Sequence, residues 1–367
     1  MPLSQNKKNS IVVGVAVLLL AGLALVSRYS ASSDRNARSQ LLGLVPQDST
    51  AVIFVDLDDL RVSPFLAKLY SWAPHPAEDS EYAQFVYETG FSYGRDLKRA
   101  TIAVSNHGAT SKLLAIADGK FDRAKIETFL NRHGKSTQQG KWKVFLIDAS
   151  VDDGPLSLTF LSDSRIAITD SENLSAVLSG AAAESGHAEW NERFERLAGT
   201  PLFVVIRQDP ALLKALNSAA PGGFRSPALS TLLNQLQWIS IAGRPDGDFL
   251  RVVSEGECLS EPITIQLRDF LEGVLLLAQN GLNDARLRQQ MNPDEREAYL
   301  EILKGVDIQK IDRGEWKSVR VVLSVTPRFL DVVRLFNVAV PAEGASTPQE
   351  AAKKKPAAGK SKAQKKK

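Results

Sequence analysis

The sequence predicts an α+β protein with an N-terminal transmembrane helix, two similar folded units and a disordered basic tail. A charge-free apolar stretch near the N-terminus predicts the first part. The order strand, helix, hairpin, helix and meander occurs in the first half of the body and returns in the second, which predicts duplicated units. With 367 residues, of which 44% are hydrophobic, the chain is long enough to bury one or two cores.

Charge is distributed unevenly along the chain. The formal net charge is +3, yet residues 1–40 carry +4, residues 41–341 carry −7 and residues 342–367 carry +6. The single cysteine, Cys258, excludes an intramolecular disulfide and a cysteine-based zinc cage, and four scattered histidines leave little for a histidine-based one. We therefore predict no cofactor, no metal site and no catalytic residues.

The apolar stretch runs from Ile11 to Val26 without a charged residue. At about 1.5 Å per residue, a helix of this length spans about 24 Å, which is short for a hydrocarbon core of about 30 Å but within reach of local thinning. A cleaved secretory signal has a similar basic start, but Arg28 interrupts the small residues that a cleavage site needs. The sequence thus favours a signal anchor over residues 1–27, which would contact the membrane, and a cleaved signal is the alternative.

The orientation of this segment depends on the flanking charges. Lys7 and Lys8 favour a cytoplasmic N-terminus, whereas Arg28, Arg35 and Arg38 act in the opposite direction. A lone N-terminal segment with a short basic leader usually exports the long domain that follows it. We therefore expect a single-pass membrane protein whose body is periplasmic or otherwise extracytoplasmic.

The first folded unit is predicted over residues 41–190, after a small and polar linker at residues 28–40. The stretch from Thr50 to Leu57 is apolar and rich in β-branched and aromatic residues, so it predicts a buried strand. The unit therefore begins with a strand close to its N-terminal boundary.

The remaining elements of this unit follow from caps and turns. Ser63 followed by Pro64 predicts the start of a helix. Turn residues at 105–108 predict a hairpin, and Asp122 predicts the start of a second helix. Three short apolar stretches then predict a meander, which a helix closes.

The second unit is predicted over residues 191–341. The stretch from Pro201 to Arg207 has the character of the first strand of the body, and a long helix is predicted from about Pro262 to Gln279. The two units either form separate domains or pair edge to edge in a shared sheet, and the sequence does not choose between these arrangements.

Residues 342–367 form a tail without a large apolar side chain. The tail cannot bury a core, so it is predicted to be disordered. Its charge predicts a salt-sensitive attraction to polyanions such as anionic lipid, nucleic acid or an acidic envelope polymer, without sequence-specific recognition. A solubilising end is the alternative. The candidate polyanion-binding residues are Lys353, Lys354, Lys355, Lys360, Lys362, Lys365, Lys366 and Lys367.

Three aspartates, Asp56, Asp58 and Asp59, are the best candidate for a site that holds a hard cation. Carboxylates suit such an ion, but the spacing lacks the glycine turn and the closing glutamate of an EF-hand. A solvated strand end is the favoured interpretation of this cluster.

Several other residues suggest chemistry, and each has a simpler explanation. Ser105 and His107 lie in one predicted turn but lack a third orienting group, and His133 suits the end of a helix. Cys258 has no cationic neighbour in sequence to lower its pKa. No metal spacing or phosphate-loop pattern accompanies the remaining candidates, His75, His187 and residues 221–224.

Two short segments, VPQDSTAV at residues 45–52 and TGFSYGRDL at residues 89–97, are the basis of a resemblance to a known class of proteins. The chain resembles uncharacterised bacterial membrane-anchored envelope proteins of unknown function. This resemblance implies a location in the bacterial envelope, and it implies no activity.

We expect a membrane-anchored extracytoplasmic binding or scaffold protein rather than an enzyme. The alternatives are an envelope enzyme of hydrolase type, whose site is assembled from residues far apart in sequence, and a polyanion-binding protein that acts through its tail. An enzyme should have a deep pocket with convergent ionisable groups, whereas a scaffold should expose an apolar or edge-strand patch. The expected partners are the membrane and an envelope protein, with no specific nucleic acid.

Overall fold

The computed structural model describes most of the body of the chain. The described residues are 35–65, 80–107, 110–148, 155–181, 188–208, 231–232, 234–314 and 316–338.

The described residues contain twelve strands. Their bounds are β1 Ser49–Asp56, β2 Leu97–His107, β3 Thr110–Gly119, β4 Gly134–Gln139, β5 Trp142–Asp148, β6 Pro155–Ser162, β7 Arg165–Thr169, β8 Leu202–Arg207, β9 Leu236–Asp246, β10 Phe249–Cys258, β11 Asp307–Arg313 and β12 Trp316–Val325.

Eleven helices in the described residues connect or flank these strands. Their bounds are α1 Arg35–Leu42, α2 Leu57–Arg61, α3 Ser80–Thr89, α4 Tyr93–Asp96, α5 Arg123–His133, α6 Leu174–Ala181, α7 Ala188–Arg196, α8 Glu261–Asn283, α9 Ala285–Gln290, α10 Pro293–Lys304 and α11 Pro327–Val338.

All twelve strands belong to one antiparallel sheet. The order of the strands is β11-β12-β10-β9-β8-β1-β2-β3-β7-β6-β5-β4. The boundary between β8 and β1 therefore divides the sheet into two parts. The first half of the body supplies β1 to β7 on one side of this boundary, and the second half supplies β8 to β12 on the other.

The β1–β8 pair joins the two halves of the body. Phe54 and Phe203 are partners in its register, and their rings stack with centroids 5.0 Å apart. The guanidinium of Arg38, on α1, lies 4.7 Å from the Phe54 ring and donates to the carbonyl oxygens of Leu197 and Thr200 at 2.9 and 3.1 Å. One buried arginine thus connects the N-terminal helix to the loop that leads into β8.

Helices pack on both faces of the sheet because successive side chains of a strand point to opposite faces. Helices α1, α6 and α7 cover the face that carries Val52, Phe54 and Val205. On the opposite face, α3 and α5 pack around Phe145 at one end, and α8 and α11 pack at the other end.

The predicted fold class is wrong in its architecture. It had two duplicated strand-helix-hairpin-helix-meander units, whereas the two halves of the single twelve-stranded sheet differ, with seven strands from the first half and five from the second. The first strands of the two halves pair with each other, so neither half has a free edge at that position. Between its hairpin and its last two strands, the second half has α8, α9 and α10, whereas the first half has α5, β4 and β5.

The predicted transmembrane helix and signal anchor are not supported. In the described part of the chain, no helix is both long enough and apolar enough to cross a membrane. The longest, α8, has 23 residues but carries charged side chains at Glu261, Arg268, Asp269 and Glu272. The stretch from Ile11 to Val26 lies outside the described residues, and the extracytoplasmic location stays a prediction.

Candidate functional site

Helix α8 begins as an ordinary packed helix of the sheet. Pro262 occupies its first turn, where a missing N–H has no cost. Ile263, Leu267 and Leu271 then pack with Val319 of β12 in one buried cluster. These three residues follow the i, i+4, i+8 spacing of a single helix face, so the first half of α8 is held by the sheet.

The second half of α8 has a different environment. After Leu271, no residue of α8 belongs to a buried hydrophobic cluster of the described residues. The side-chain amide of Gln279 donates to the carbonyl oxygen of Leu303 at 2.9 Å, which connects this half to α10. Leu276 and Leu277 remain 59% and 72% exposed.

Two exposed apolar side chains of this half, Val274 and Leu277, fall on one side of the helix, whereas Leu276 lies about 100° around it from Leu277. At 3.6 residues per turn, Phe270, Val274 and Leu277 recur at i, i+4 and i+7 and share a face. Gly273 and Gly281 lie on the same side, and a Cβ atom added at either glycine would meet no described atom within 4 Å. We call the five residues Phe270, Gly273, Val274, Leu277 and Gly281 the α8 stripe.

A cleft opens where β1 ends and β8 begins. It has a volume of about 340 Å³ and lies between α2, the loop before β8 and the β9–β10 turn. Asp59 and Arg244 supply its two ionisable side chains, and Ser63, Gly199 and Gly247 are among the other lining residues. Burial, together with the nearby carboxylate of Asp56, raises the pKa of Asp59.

Two of the three aspartates of the predicted cation candidate, Asp56 and Asp58, are partnered by arginines, and Asp59 lines the cleft. Asp56 is 2% exposed, and its carboxylate accepts from Nε of Arg99 at 2.7 Å and from the backbone N–H of Asp59 at 3.2 Å. Asp58 pairs with Arg61 at 2.6 Å. Asp56 is therefore the buried N-cap of α2 and not part of a solvated strand end. Within the described residues, no group of three or more His, Cys, Asp or Glu side chains is placed to hold a metal ion.

A second charged group connects α7 to the sheet. The guanidinium of Arg193 is fully buried and donates to Glu257 at 2.5 Å, and Arg196 donates to the same carboxylate. The Arg193 guanidinium also lies 3.9 Å from the ring of Trp238 and 5.0 Å from the ring of Trp316. We call the group the arginine cluster, and its members are Arg193, Arg196, Glu255, Glu257, Arg313 and Arg320.

Glu255 is at the centre of the exposed part of the arginine cluster. Its carboxylate accepts from the hydroxyl of Ser318 at 2.8 Å and from Nη2 of Arg320 at 2.9 Å, and Nη2 of Arg313 lies 3.5 Å away. Burial alone would raise the pKa of Glu255. The hydrogen bonds from Arg320 and Ser318 and the charge of Arg313 outweigh that effect, so the pKa lies below its ordinary value.

The structure gives structural roles to the other residues that the sequence suggested. Ser105 is buried, and its hydroxyl donates to Asp48 at 3.3 Å. His133 ends α5 and stacks on Phe129 with centroids 4.3 Å apart. Cys258 is buried, and burial raises the pKa of its thiol. The candidates outside the described residues are His75, His187, residues 221–224 and the lysines at 353, 354, 355, 360, 362, 365, 366 and 367.

The α8 stripe and the arginine cluster differ in how far the sequence indicated them. The helix of the α8 stripe was predicted, but its exposure was not, because a run of apolar residues is equally typical of a buried helix. The members of the arginine cluster come from α7, β10, β11 and β12, so no local spacing could have revealed them.

The fold defines a protein with a single large antiparallel sheet and helices on both faces. No model of a protein family matches the chain, and no curated protein is significantly similar to it in sequence. Crystal form III of TP0453 is 10% identical with a TM-score of 0.41, and the comparison covers 83% of this chain and 100% of that one. Crystal forms IV and I of TP0453 are each 9% identical with TM-scores of 0.42, and they cover 80% and 84% of this chain and 95% and 99% of those chains. Similarity at this level carries no inference about the chain.

Proposed function

We propose that the chain is a binding and scaffold protein that self-associates through the α8 stripe. The observation that carries this proposal is the 72% exposure of Leu277 midway between Gly273 and Gly281, on a helix half that none of the described strands covers. Large exposed apolar side chains on an ordered helix are typical of protein interaction sites. This proposal keeps the binding class expected from the sequence and adds a surface to it.

A second copy of the chain is the occupant that this surface fits. In an antiparallel pair of α8 helices related by a two-fold axis near residue 275, Leu277 of each copy faces Gly273 of the other. A C2 interface must be self-complementary, and a leucine knob with a glycine notch four residues away satisfies that condition. Because glycine has no Cβ, the two helix backbones can approach closely at these points.

The glycine at position 273 supports contact with a surface from outside the described chain. Glycine in a helix interior is less favourable than alanine by about 0.5–1 kcal/mol. Gly273 lies in the middle of α8 with negative φ, and no described atom would obstruct a Cβ there. Packing within the described residues therefore gives no reason for a glycine, whereas close approach of a second helix does.

The expected strength of the association depends on both leucines of the pair. Burying one leucine side chain contributes about 1.5–3 kcal/mol, and a two-fold interface buries the same side chain twice. Asp269 and Glu272 lie on the other side of the helix, near Leu276, where they stay in solvent. The α8 stripe is therefore apolar, and the acidic side chains of Asp269 and Glu272 lie away from it.

Sedimentation velocity of the full-length protein over about 1 to 100 µM tests the proposal. We expect a concentration-dependent monomer–dimer equilibrium in the wild type. Leu277→Glu places two carboxylates at the centre of the interface and should weaken the association by at least about tenfold. Leu276→Glu is the matched control, because this leucine is also exposed but lies about 100° around the helix, and it should leave the equilibrium unchanged.

The two variants share every other part of the chain, so contributions from residues outside the described ranges cancel in the comparison. A wild type that stays monomeric throughout this concentration range would overturn the proposal. An equal loss of association in both variants would also contradict it, because the α8 stripe would then not be the contact surface.

A further inference from the structure

We infer that the arginine cluster binds a doubly charged phosphate group, either free or on a phosphate monoester. Four guanidinium groups meet two carboxylates there, so two positive charges are left without a partner inside the cluster. This site is separate from the α8 stripe, and neither proposal depends on the other.

The cluster retains unused donors. Arg320 bonds Glu255 through Nε and Nη2, and its Nη1 makes no hydrogen bond among the described residues. Arg313 reaches Glu255 only at 3.5 Å, and Arg196 reaches the same carboxylate only at 3.6 Å. Each guanidinium carries five N–H donors in a planar fork, so these three side chains can still donate to an added oxyanion.

The unused donors lie on the accessible side of the cluster. The side chains of Arg313 and Arg320 are 33% and 30% exposed, and that of Arg196 is 19% exposed, whereas that of Glu255 is only 12% exposed. A ligand that approaches from solvent therefore meets the arginines before the carboxylate. Along the same face of β11, the nearest acid, Asp307, accepts from the amide of Gln309 at 2.6 Å.

The supporting carboxylates hold the arginines in place. Glu255 and Arg320 are direct partners in the β10–β12 register, and Glu257 pairs with Ser318 two positions further along. Holding arginine side chains before the ligand arrives reduces the ordering entropy of binding. The buried Glu257 also fixes Arg193 and Arg196, which come from the other layer of the fold.

Charge distinguishes a phosphate from a carboxylate as the ligand. A phosphate monoester carries about −1.5 to −2 near neutral pH, which matches the two uncompensated charges of the cluster. A carboxylate would compensate only one of them. Three arginine forks also suit the three terminal oxygens of a phosphate group.

Isothermal titration calorimetry of the full-length protein tests the inference, with inorganic phosphate and O-phosphoserine as separate probes up to about 10 mM. We expect saturable binding of one phosphate group per chain, and the tighter of the two probes identifies the free ion or the monoester as the source. Acetate should bind at least about tenfold more weakly than phosphate.

Arg313→Ala is the test variant. Arg313 contacts Glu255 only at 3.5 Å, so this arginine can be removed with little disturbance of the sheet. The variant should weaken phosphate binding at least about tenfold, and the loss of the Arg313–Glu255 contact should lower the thermal unfolding midpoint only slightly. Arg251→Ala is the matched control, since Arg251 is an exposed arginine on the same face of β10, four residues from Glu255. This variant should bind phosphate as the wild type does.

Both variants retain the eight tail lysines, so non-specific attraction of phosphate to the tail affects them equally. Absence of saturable phosphate binding would overturn the inference. Equal weakening in both variants, or acetate binding as tight as phosphate binding, would also overturn it.

Discussion

Arg99 and Asp56 are direct cross-strand partners of β1 and β2, and Nε of Arg99 donates to the carboxylate of Asp56 at 2.7 Å. Their side chains are only 9% and 3% exposed, so the pair is shielded from water. Removing one member of a buried ion pair leaves an uncompensated charge, which costs about 3–5 kcal/mol, although the intact pair is itself weak evidence for stability.

The first prediction concerns this pair. Asp56→Asn keeps an oxygen that can cap α2 but removes the charge that compensates Arg99. We expect a loss of about 3–5 kcal/mol in the free energy of unfolding, measured by urea denaturation at neutral pH. Asp163→Asn is the control, because Asp163 and its partner Arg123 have side chains 91% and 45% exposed, and it should cost about 1 kcal/mol or less.

The double variant Asp56→Asn with Arg99→Met separates the ion pair from the loss of packing. If the cost arises from an unpaired charge, removing both charges should restore at least half of the stability that the single variant lost. Additive losses would show that the two side chains act independently, which would contradict the first prediction.

Local signals predicted several elements of this fold, and long-range pairing was beyond them. Asn292 followed by Pro293 is a sequence typical of a helix start, and the Asn292 side chain accepts from the N–H of Asp294 at the start of α10. Asp122 caps α5 in the same way. By contrast, α1 begins at Arg35, inside the predicted linker, and Arg38 stabilises it through bonds to residues far along the chain. No local pattern records such a contact.

The strands show the same difference between local signals, which the sequence records, and long-range pairing, which it does not. The hairpin of β2 and β3 was predicted from its turn residues, and the structure confirms it. The edge strand β4 has the sequence GKSTQQ, which lacks any apolar signal. Only its hydrogen bonds to β5 define it as a strand. The pairing of β1 with β8 joins segments about 150 residues apart, and hydrophobic patterns specify that a strand is buried but not which strand lies beside it.

The second prediction concerns Asp59, which lines the cleft. Burial and the charge of Asp56 raise the pKa of Asp59 above its ordinary value of 3.8, so folding disfavours its charged form. The stability associated with this group is therefore complete below that value and is lost as the pH rises through the folded pKa. We expect Asp59→Asn to be more stable than the wild type at neutral pH in urea denaturation.

The pH dependence of that comparison provides its internal control. The advantage of Asp59→Asn should disappear as the pH falls below about 3.8, where the wild-type carboxyl is neutral in both states. An advantage of equal size at every pH would show that packing, and not ionisation, separates the two proteins.

The third prediction concerns Glu255 in the arginine cluster. Its pKa in the folded protein lies below the ordinary value of 4.5, despite burial, because of Arg320, Ser318 and Arg313. The stability from this group is therefore present above about 4.5 and is lost as the pH falls through the folded pKa. Glu255→Gln should reduce the free energy of unfolding at neutral pH, and its difference from the wild type should shrink in acid.

Asp294→Asn is the control for this titration. Asp294 also pairs with an arginine, but its side chain is 82% exposed, so the pair should contribute little at any pH. Denaturant midpoints measured between about pH 7 and pH 3 give the comparison. A difference between wild type and Glu255→Gln that stays constant over this range would contradict the third prediction.

The fourth prediction concerns Gly273 and separates the folding of α8 from its association. Gly273→Ala adds a methyl group that meets no described atom, and alanine is favoured over glycine in a helix interior by about 0.5–1 kcal/mol. The monomer should therefore become more stable by about that amount, measured by urea denaturation at a protein concentration well below the dissociation constant.

The same substitution should weaken self-association, because the added methyl fills the notch that Leu277 of the second copy enters. Sedimentation velocity should then show a dissociation constant raised at least about tenfold, in a protein whose monomer has become more stable. These opposite signs are the signature of a glycine retained for contact between copies. A variant that is more stable and associates as strongly as the wild type would show that Gly273 serves no interface, and the α8 stripe would then have to bind through its leucine alone.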